Sequence, residues 1–325
     1  MQTVSLACLH NESEMAPEAV NPLKGIALKL FSVVAFLGMQ TCIKAAGPEV
    51  EAGQVTFYRS AFALVPIMAY LAFRSDLRAA FHTNNLFGHF KRGFLGIASM
   101  GFGFYGLVLL PLPDAIAIGY ASPLMGVICA AIFLKEKVRI YRWSAVAIGI
   151  FGVMIISWPK LTMFDDGGFG NTQAIGAASV LMSSFLAGFA MIQTRQLVTT
   201  EKTATIVLYF SLSGAIFSLV TIPFGWSTLA FWPAVFLIGS GFCGGVGQLL
   251  LTEAYRNADV STVAPFDYTS ILLGIVIAFI LFGDIPTVTM LIGTAITVSA
   301  GIFIIYREHR LGLERKAARK ATPPS

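Results

Sequence analysis

Apolar residues in this chain do not recur at the spacing of a half-buried helix or strand; they run on without interruption. Ten such runs occupy about residues 23–46, 53–73, 93–110, 115–134, 143–158, 172–194, 203–223, 231–252, 260–282 and 288–306. A helix needs roughly 17–25 mostly apolar residues to cross a bilayer. The runs at 93–110 and 143–158 are the shortest, and are expected to extend into their flanks. Lipid leaves no partner for a bare backbone amide, so continuous runs predict helices. A membrane barrel would need alternating strands instead.

Composition points the same way. Charged residues make up 12% of the 325 and hydrophobic ones 56%, with a mean hydropathy of +0.76. A soluble domain carries about 25% charged residues. The four cysteines, Cys8, Cys42, Cys129 and Cys243, show no metal-ligand spacing and no disulfide framework. The histidines, His10, His82, His89 and His309, fall outside the apolar runs. No metal site and no cofactor is expected. Residues 1–21 carry Glu12, Glu14 and Glu18 without an apolar core, unlike a cleavable signal peptide.

Charge then orients the runs. With the N-terminus inside, the inner segments hold eighteen Lys and Arg residues, while the outer ones hold only Lys44 and Lys160. That asymmetry predicts both termini in the cytoplasm of a bacterial inner membrane. The net charge of +5 sits mostly in these loops and in the tail, and says nothing of nucleic acid. The loop 74–92 and the tail 307–325 are basic enough to bind anionic lipid.

The chain also repeats itself. "GFLG" at Gly93–Gly96 matches "GFCG" at Gly241–Gly244, an offset of 148. Held without a gap to Glu136 and Asp284, this register makes nine of 44 positions identical, among them Tyr120/Tyr268 and Gly126/Gly274. Two five-helix halves follow, 23–158 and 172–306, joined by a periplasmic linker at 159–171 and flanked by a cytoplasmic tail at 1–22. Five is odd, so the second half enters from the opposite side. The expected fold is therefore all-α and integral to the membrane: ten transmembrane helices as two inverted five-helix repeats. Inverted repeats are a recurring plan of secondary transporters, because two quasi-equivalent halves can expose a central site to either side in turn.

Three stretches carry a family resemblance: "IKAAGPEVEAGQVTFYRSAFAL", "LPLPDAIAIGYASPLMGVICAAIFLKEK" and "VAPFDYTSILLGIVIAFILFGD". With Lys44, Arg59, Pro123 and Glu136 at landmark positions, the chain resembles the drug/metabolite transporter superfamily, EamA type. Asp284 stands where Glu is commoner. The resemblance covers span one to Tyr306. It implies a proton-coupled or facilitative carrier with a cavity between the halves. Such carriers move amino acids, purines, S-adenosylmethionine, riboflavin and drugs.

Candidate site residues are those a bilayer makes expensive. Asp267 lies about 7 residues into its run, roughly 10 Å deep at 1.5 Å per residue. Two readings stand open: a substrate or proton site, or an acceptor for backbone freed by Pro265. Burial disfavours its charged form unless a cation such as Arg59 approaches. Lys29 has a stem long enough to snorkel, and Arg59 stands between snorkelling and a site. Glu253 is spaced to pair with Arg256. Tyr120, Tyr268 and Tyr105, with Phe102 and Phe266, are candidates for an aromatic cavity wall, the alternative being ordinary packing. Gln40, Gln193 and Gln248 are amides that need partners. Pro123 and Pro265 place a helix break in corresponding spans.

The expected partners are a small-molecule substrate, the lipid bilayer and protons. The first substrate expectation is riboflavin, ahead of S-adenosylmethionine or a purine. An amino-acid or drug exporter of the same family is the alternative, and a non-transporting scaffold or an intramembrane enzyme stands outside it. Against an enzyme, there is no His-Glu-x-x-His, no Gly-x-Ser-x-Gly and no second aspartate placed to form a dyad with Asp267.

Overall fold

The computed structural model describes residues 22–74, 77–133, 140–161, 172–198, 200–257 and 264–321. The N-terminal tail before Pro22, the linker beyond Leu161, Glu136 and the last four residues lie outside the described ones, as do the side chains of Pro123, Pro265 and Arg256. Expectations placed there, including the Glu253–Arg256 pair, fall with them.

Among the described residues the regular structure is helical. The helices are α1 (Pro22–Ala46), α2 (Ala52–Phe73), the short α3 (Leu77–Ala80), α4 (Leu86–Leu109), α5 (Leu112–Gly119), α6 (Ala121–Phe133), α7 (Ile140–Leu161), α8 (Thr172–Val198), α9 (Thr203–Ser218), α10 (Phe231–Asn257), α11 (Thr269–Phe282) and α12 (Val288–Ala321). Two 3-10 turns, Leu219–Phe224 and Ala264–Tyr268, end α9 and open α11. Among the described residues, seven apolar segments are long enough to cross a membrane, and three shorter ones lie at Trp143–Pro159, Phe266–Phe282 and Val288–Ile304. The chain is a multi-pass membrane protein.

Helix ends have local causes. Asn85 caps α4 by accepting from the Gly88 amide at 2.9 Å, which starts that helix seven residues before the apolar run 93–110. His89 and Arg92 are thereby drawn into a span, where hydropathy alone placed them in a loop. Gly283, at φ +69, ends α11 with amides returning to Phe279 and Ala278, a left-handed close that only glycine adopts freely. α12 runs on to Ala321, so much of the expected basic tail is helix.

The helices pair in reciprocal fashion. α1 packs on α10 and α4 on α8; α2 packs on α10 and α4 on α9; α7 packs on α12, α5 on α11 and α2 on α9. Close approach between α7 and α12 depends on facing glycines, since a Cβ on Gly152 would meet the Gly293 carbonyl at 2.7 Å. The main apolar core runs through Leu37, Ile43, Leu112, Ile118, Ile156 and Leu237, joining both halves.

Outside the spans, the buried Glu201 carboxylate ties the α8–α9 loop to the start of α4. It accepts from Thr83 Oγ1 at 2.7 Å and from the Asn84 and Asn85 amides at 2.9 and 3.1 Å. Burial alone would raise its pKa. These donors and the nearby His89 outweigh that and hold it below the ordinary value.

Candidate substrate site

Tyr120 and Tyr268 occupy equivalent positions 148 apart, and both fall at breaks. Tyr120 separates α5 from α6, its amide making a 3-10 bond to Ala117 at 3.3 Å. The cause lies three residues on: Pro123 has no N–H to offer the Gly119 carbonyl, so the helix cannot continue regularly through it. Tyr268 ends the 3-10 turn that opens α11. Pro265 sits at the start of that turn, where a missing N–H interrupts nothing. The helix interruptions at this junction lie at the tyrosines, three residues before Pro123 and three after Pro265.

The two rings meet, centroids 5.2 Å apart and tilted by 52°. The Tyr120 hydroxyl donates to the Asp267 carbonyl at 2.9 Å and lies 2.6 Å from Ser270 Oγ. The Tyr268 hydroxyl presses on α12, where a Cβ at Gly301 would overlap it. Backbone, hydroxyls and rings from both halves therefore converge at one junction.

Asp267 belongs to that junction, and its cation is not the expected one. Lys29 Nζ contacts Asp267 Oδ1 at 2.6 Å. The Lys29 side chain is 3% exposed and that of Asp267 46%. Lys29 therefore does not snorkel: its charge is turned inward and compensated, while nearly half of the Asp267 side chain stays exposed.

Arg59 lies elsewhere. Only 2% exposed, it sits over the Phe210 ring at 5.6 Å, bordered by Gly244 of α10 and Met39 of α1. Tyr105 and Phe102 line a cavity of about 380 Å³ with Thr56, Ile97, Phe217 and Ser218, between α2, α4 and α9. The Tyr120–Tyr268 pair is not part of that lining. Gln40, Gln193 and Gln248 are half-buried in α1, α8 and α10. The structure thus joins Asp267, Tyr120 and Tyr268, and leaves Arg59 and Tyr105 outside that junction.

Sequence reasoning missed Arg92, whose guanidinium lies 4.0 Å from the Phe210 ring centroid. It also missed Asp114, 5% exposed in the first turn of α5. Asp114 and Asp284 both lie in electrostatic reach of Lys44, whose ammonium donates to the Leu110 carbonyl. An acidic residue in the first turn of a helix beginning Leu-Pro-Asp is a legible signal.

The sequence profile of the EamA-like transporter family matches residues 23–158 and again 174–307. The chain belongs to that family. As an EamA-like protein it is similar to a riboflavin transporter of Rhizobium johnstonii, 33% identical over 91% of this chain and 92% of that one. It is similar to an S-adenosylmethionine uptake transporter of Rickettsia felis, 24% identical over 89% of this chain and 94% of that one. It is also similar to a pseudopaline exporter of Pseudomonas aeruginosa, 26% identical over 86% of this chain and 93% of that one. A solved protein structure superposes on the EamA-like fold with a TM-score of 0.60 at 18% identity, covering 88% of this chain and 98% of its own.

Proposed function

We propose that this chain is a secondary carrier of a small ring-bearing metabolite in the bacterial inner membrane, with both termini in the cytoplasm. Its substrate binds where the two halves meet, at Tyr120, Tyr268 and Asp267. The observation that carries this reading is the junction itself. Corresponding segments from two halves of the chain bring ring to ring beside Asp267, which is ion-paired yet part-exposed. Broken helices near the midplane are where carriers build sites, because unwound backbone supplies polar contacts.

Ten spans in two inverted repeats fit the double profile match and the reciprocal helix pairing. Under exchange of halves, α1 on α10 corresponds to α8 on α4, and α2 on α10 to α9 on α4. A rocking motion can then trade one set of contacts for its equivalent. Riboflavin remains the first substrate, since the relative at 33% identity is a riboflavin transporter and a flavin ring can stack on the tyrosines. S-adenosylmethionine and purines come next.

Counterflow in proteoliposomes preloaded with riboflavin, S-adenosylmethionine or adenine tests it. Saturable exchange of one of these is expected. Tyr268→Ala should weaken that solute's binding a few-fold to about tenfold, the worth of an aromatic contact. Exchange of none of the three, by protein that stays folded and monodisperse, would refute this substrate class.

A further inference from the structure

The Lys29–Asp267 pair leaves a different pair of cations unexplained. Arg59 of α2 and Arg92 of α4 both lie over the ring of Phe210 on α9, at 5.6 and 4.0 Å. The Nε and Nη1 groups of each are buried and find no acceptor among the described residues. Each guanidinium lies in the other's repulsive field. Glu201, the acid beside His89, turns its Oε1 to Thr83, Asn84 and Asn85, and no ion pair joins it to either arginine among the described residues. Two hydroxyls at the same helix seam, Ser60 of α2 and Ser211 of α9, are likewise buried without a partner among the described residues.

One aromatic face offsets part of the desolvation of one guanidinium, not of two that repel each other. Arginine pairs planar oxyanions through two parallel N–H bonds, and its weak hydration suits a buried site. We propose that Arg59 and Arg92 form, about the Phe210 ring, a site for one carboxylate or phosphate group. As a second resting place of the transported solute, apart from the tyrosine junction, it rests on the carrier reading above; as a site for an anionic lipid headgroup it does not.

The approach is visible. The cavity of about 380 Å³ follows the same three helices, lined by Thr56, Ile97 and Phe217. About one turn further along these helices, Ser60 packs against Gly214 and Ser213 against Gly93. For a solute in the cavity to reach the arginines, α9 must shift against α2 and α4. A solute held there rests against Phe102 and Tyr105, apart from the Tyr120–Tyr268 junction, with its anionic group at the guanidiniums.

The test uses the full chain in lipid nanodiscs. Thermal stability is titrated with sodium phosphate against sodium chloride at matched ionic strength. A saturable rise is expected with phosphate, and it needs no variant to be seen. Binding of riboflavin and of riboflavin 5′-phosphate is then compared. The phosphate ester should bind more tightly, and Arg92→Gln should weaken it by on the order of tenfold or more while sparing riboflavin, with Arg92→Lys intermediate. Native mass spectrometry separates the two sources. A phosphatidylglycerol retained by wild type and lost from Arg92→Gln supports the site with a lipid as occupant; preference for the ester without such lipid supports the solute. No phosphate response, no ester preference and no Arg92-dependent lipid together overturn the proposal. Absent counterflow with an intact phosphate response removes the carrier reading and leaves the anion site. Intact counterflow with none of the three anion responses removes the site and leaves the carrier.

Discussion

Two regions of this molecule bury charge, and they solve the problem differently. At the Lys29–Asp267 junction an inward-facing cation meets a carboxylate at 2.6 Å, with Tyr120 and Ser270 bonded to the adjoining backbone. At the Arg59–Arg92 seam two cations share one aromatic ring, with no acceptor for four buried guanidinium nitrogens among the described residues. The junction is complete in the resting protein, so its charges can hold structure and be exchanged for substrate contacts. The seam carries charge that the described residues leave uncompensated, a cost that makes sense where a visiting anion is bound. Removing a charge should therefore destabilise at the first and do little harm at the second.

The largest effect is expected from reversing the cation at the junction. Lys29→Asp would set two carboxylates together beneath α11. Breaking a buried pair costs about 3–5 kcal/mol, and the accessible Asp267 end lowers the expectation here to about 2 kcal/mol. Transport should fall at least tenfold. The exchanged variant Lys29→Asp/Asp267→Lys should recover a substantial part of the folded yield and melting temperature. If the exchange is no better than the single reversal, the two side chains do not depend on one another, and the junction is not compensated in the way its geometry indicates.

A smaller effect is expected where the junction leans on α12. A methyl group at Gly301 would overlap the Tyr268 hydroxyl. Gly301→Ala should push that ring off Tyr120, destabilising by about 1 kcal/mol, the low end of what overpacking costs. Removing the hydroxyl with Tyr268→Phe should recover part of that loss in melting temperature. A Gly301→Ala protein as stable as wild type would mean that the ring moves aside without cost, and the Tyr120–Tyr268 contact would then be loose.

Much of the first region was legible in the sequence and little of the second. The offset of 148 marked Tyr120 and Tyr268 as equivalent, and an aspartate inside an apolar run marked itself by its cost. Nothing local joined Lys29 to Asp267, because their contact depends on how α1 packs against the 3-10 turn before α11. Arg92 was counted as a loop residue because Lys91 and Arg92 interrupt the hydropathy. The signal against that was Asn85, a capping residue that starts α4 at Leu86, ahead of both His89 and Arg92. Arg59 was visible as an embedded charge, but its neighbour was not, so the pairing of two cations could not be read. Hydropathy finds spans; it does not find where long side chains from different spans converge.

The smallest expected effect discriminates best between the two regions. Arg92→Met keeps a long, flexible stem of similar reach and removes the charge. At a compensated site such a change is costly, because the partner left behind remains buried and unpaired. Here no such partner stands among the described residues, and Arg59 loses a repulsive neighbour. What is lost is the contact with Phe210, worth about 0.5–2 kcal/mol for a cation over a ring and partly replaced by a sulfur–aromatic contact. What is gained is the desolvation of one guanidinium, which in buried charge clusters outweighs such a contact. The net change should lie within about 1 kcal/mol of zero or on the stabilising side, read as an unchanged or raised melting temperature in phosphate-free buffer. Adding phosphate should then stabilise wild type and leave Arg92→Met where it was. A loss of several degrees without phosphate would mean that Arg92 already has an acceptor in the folded protein, and the contrast between the two regions would collapse.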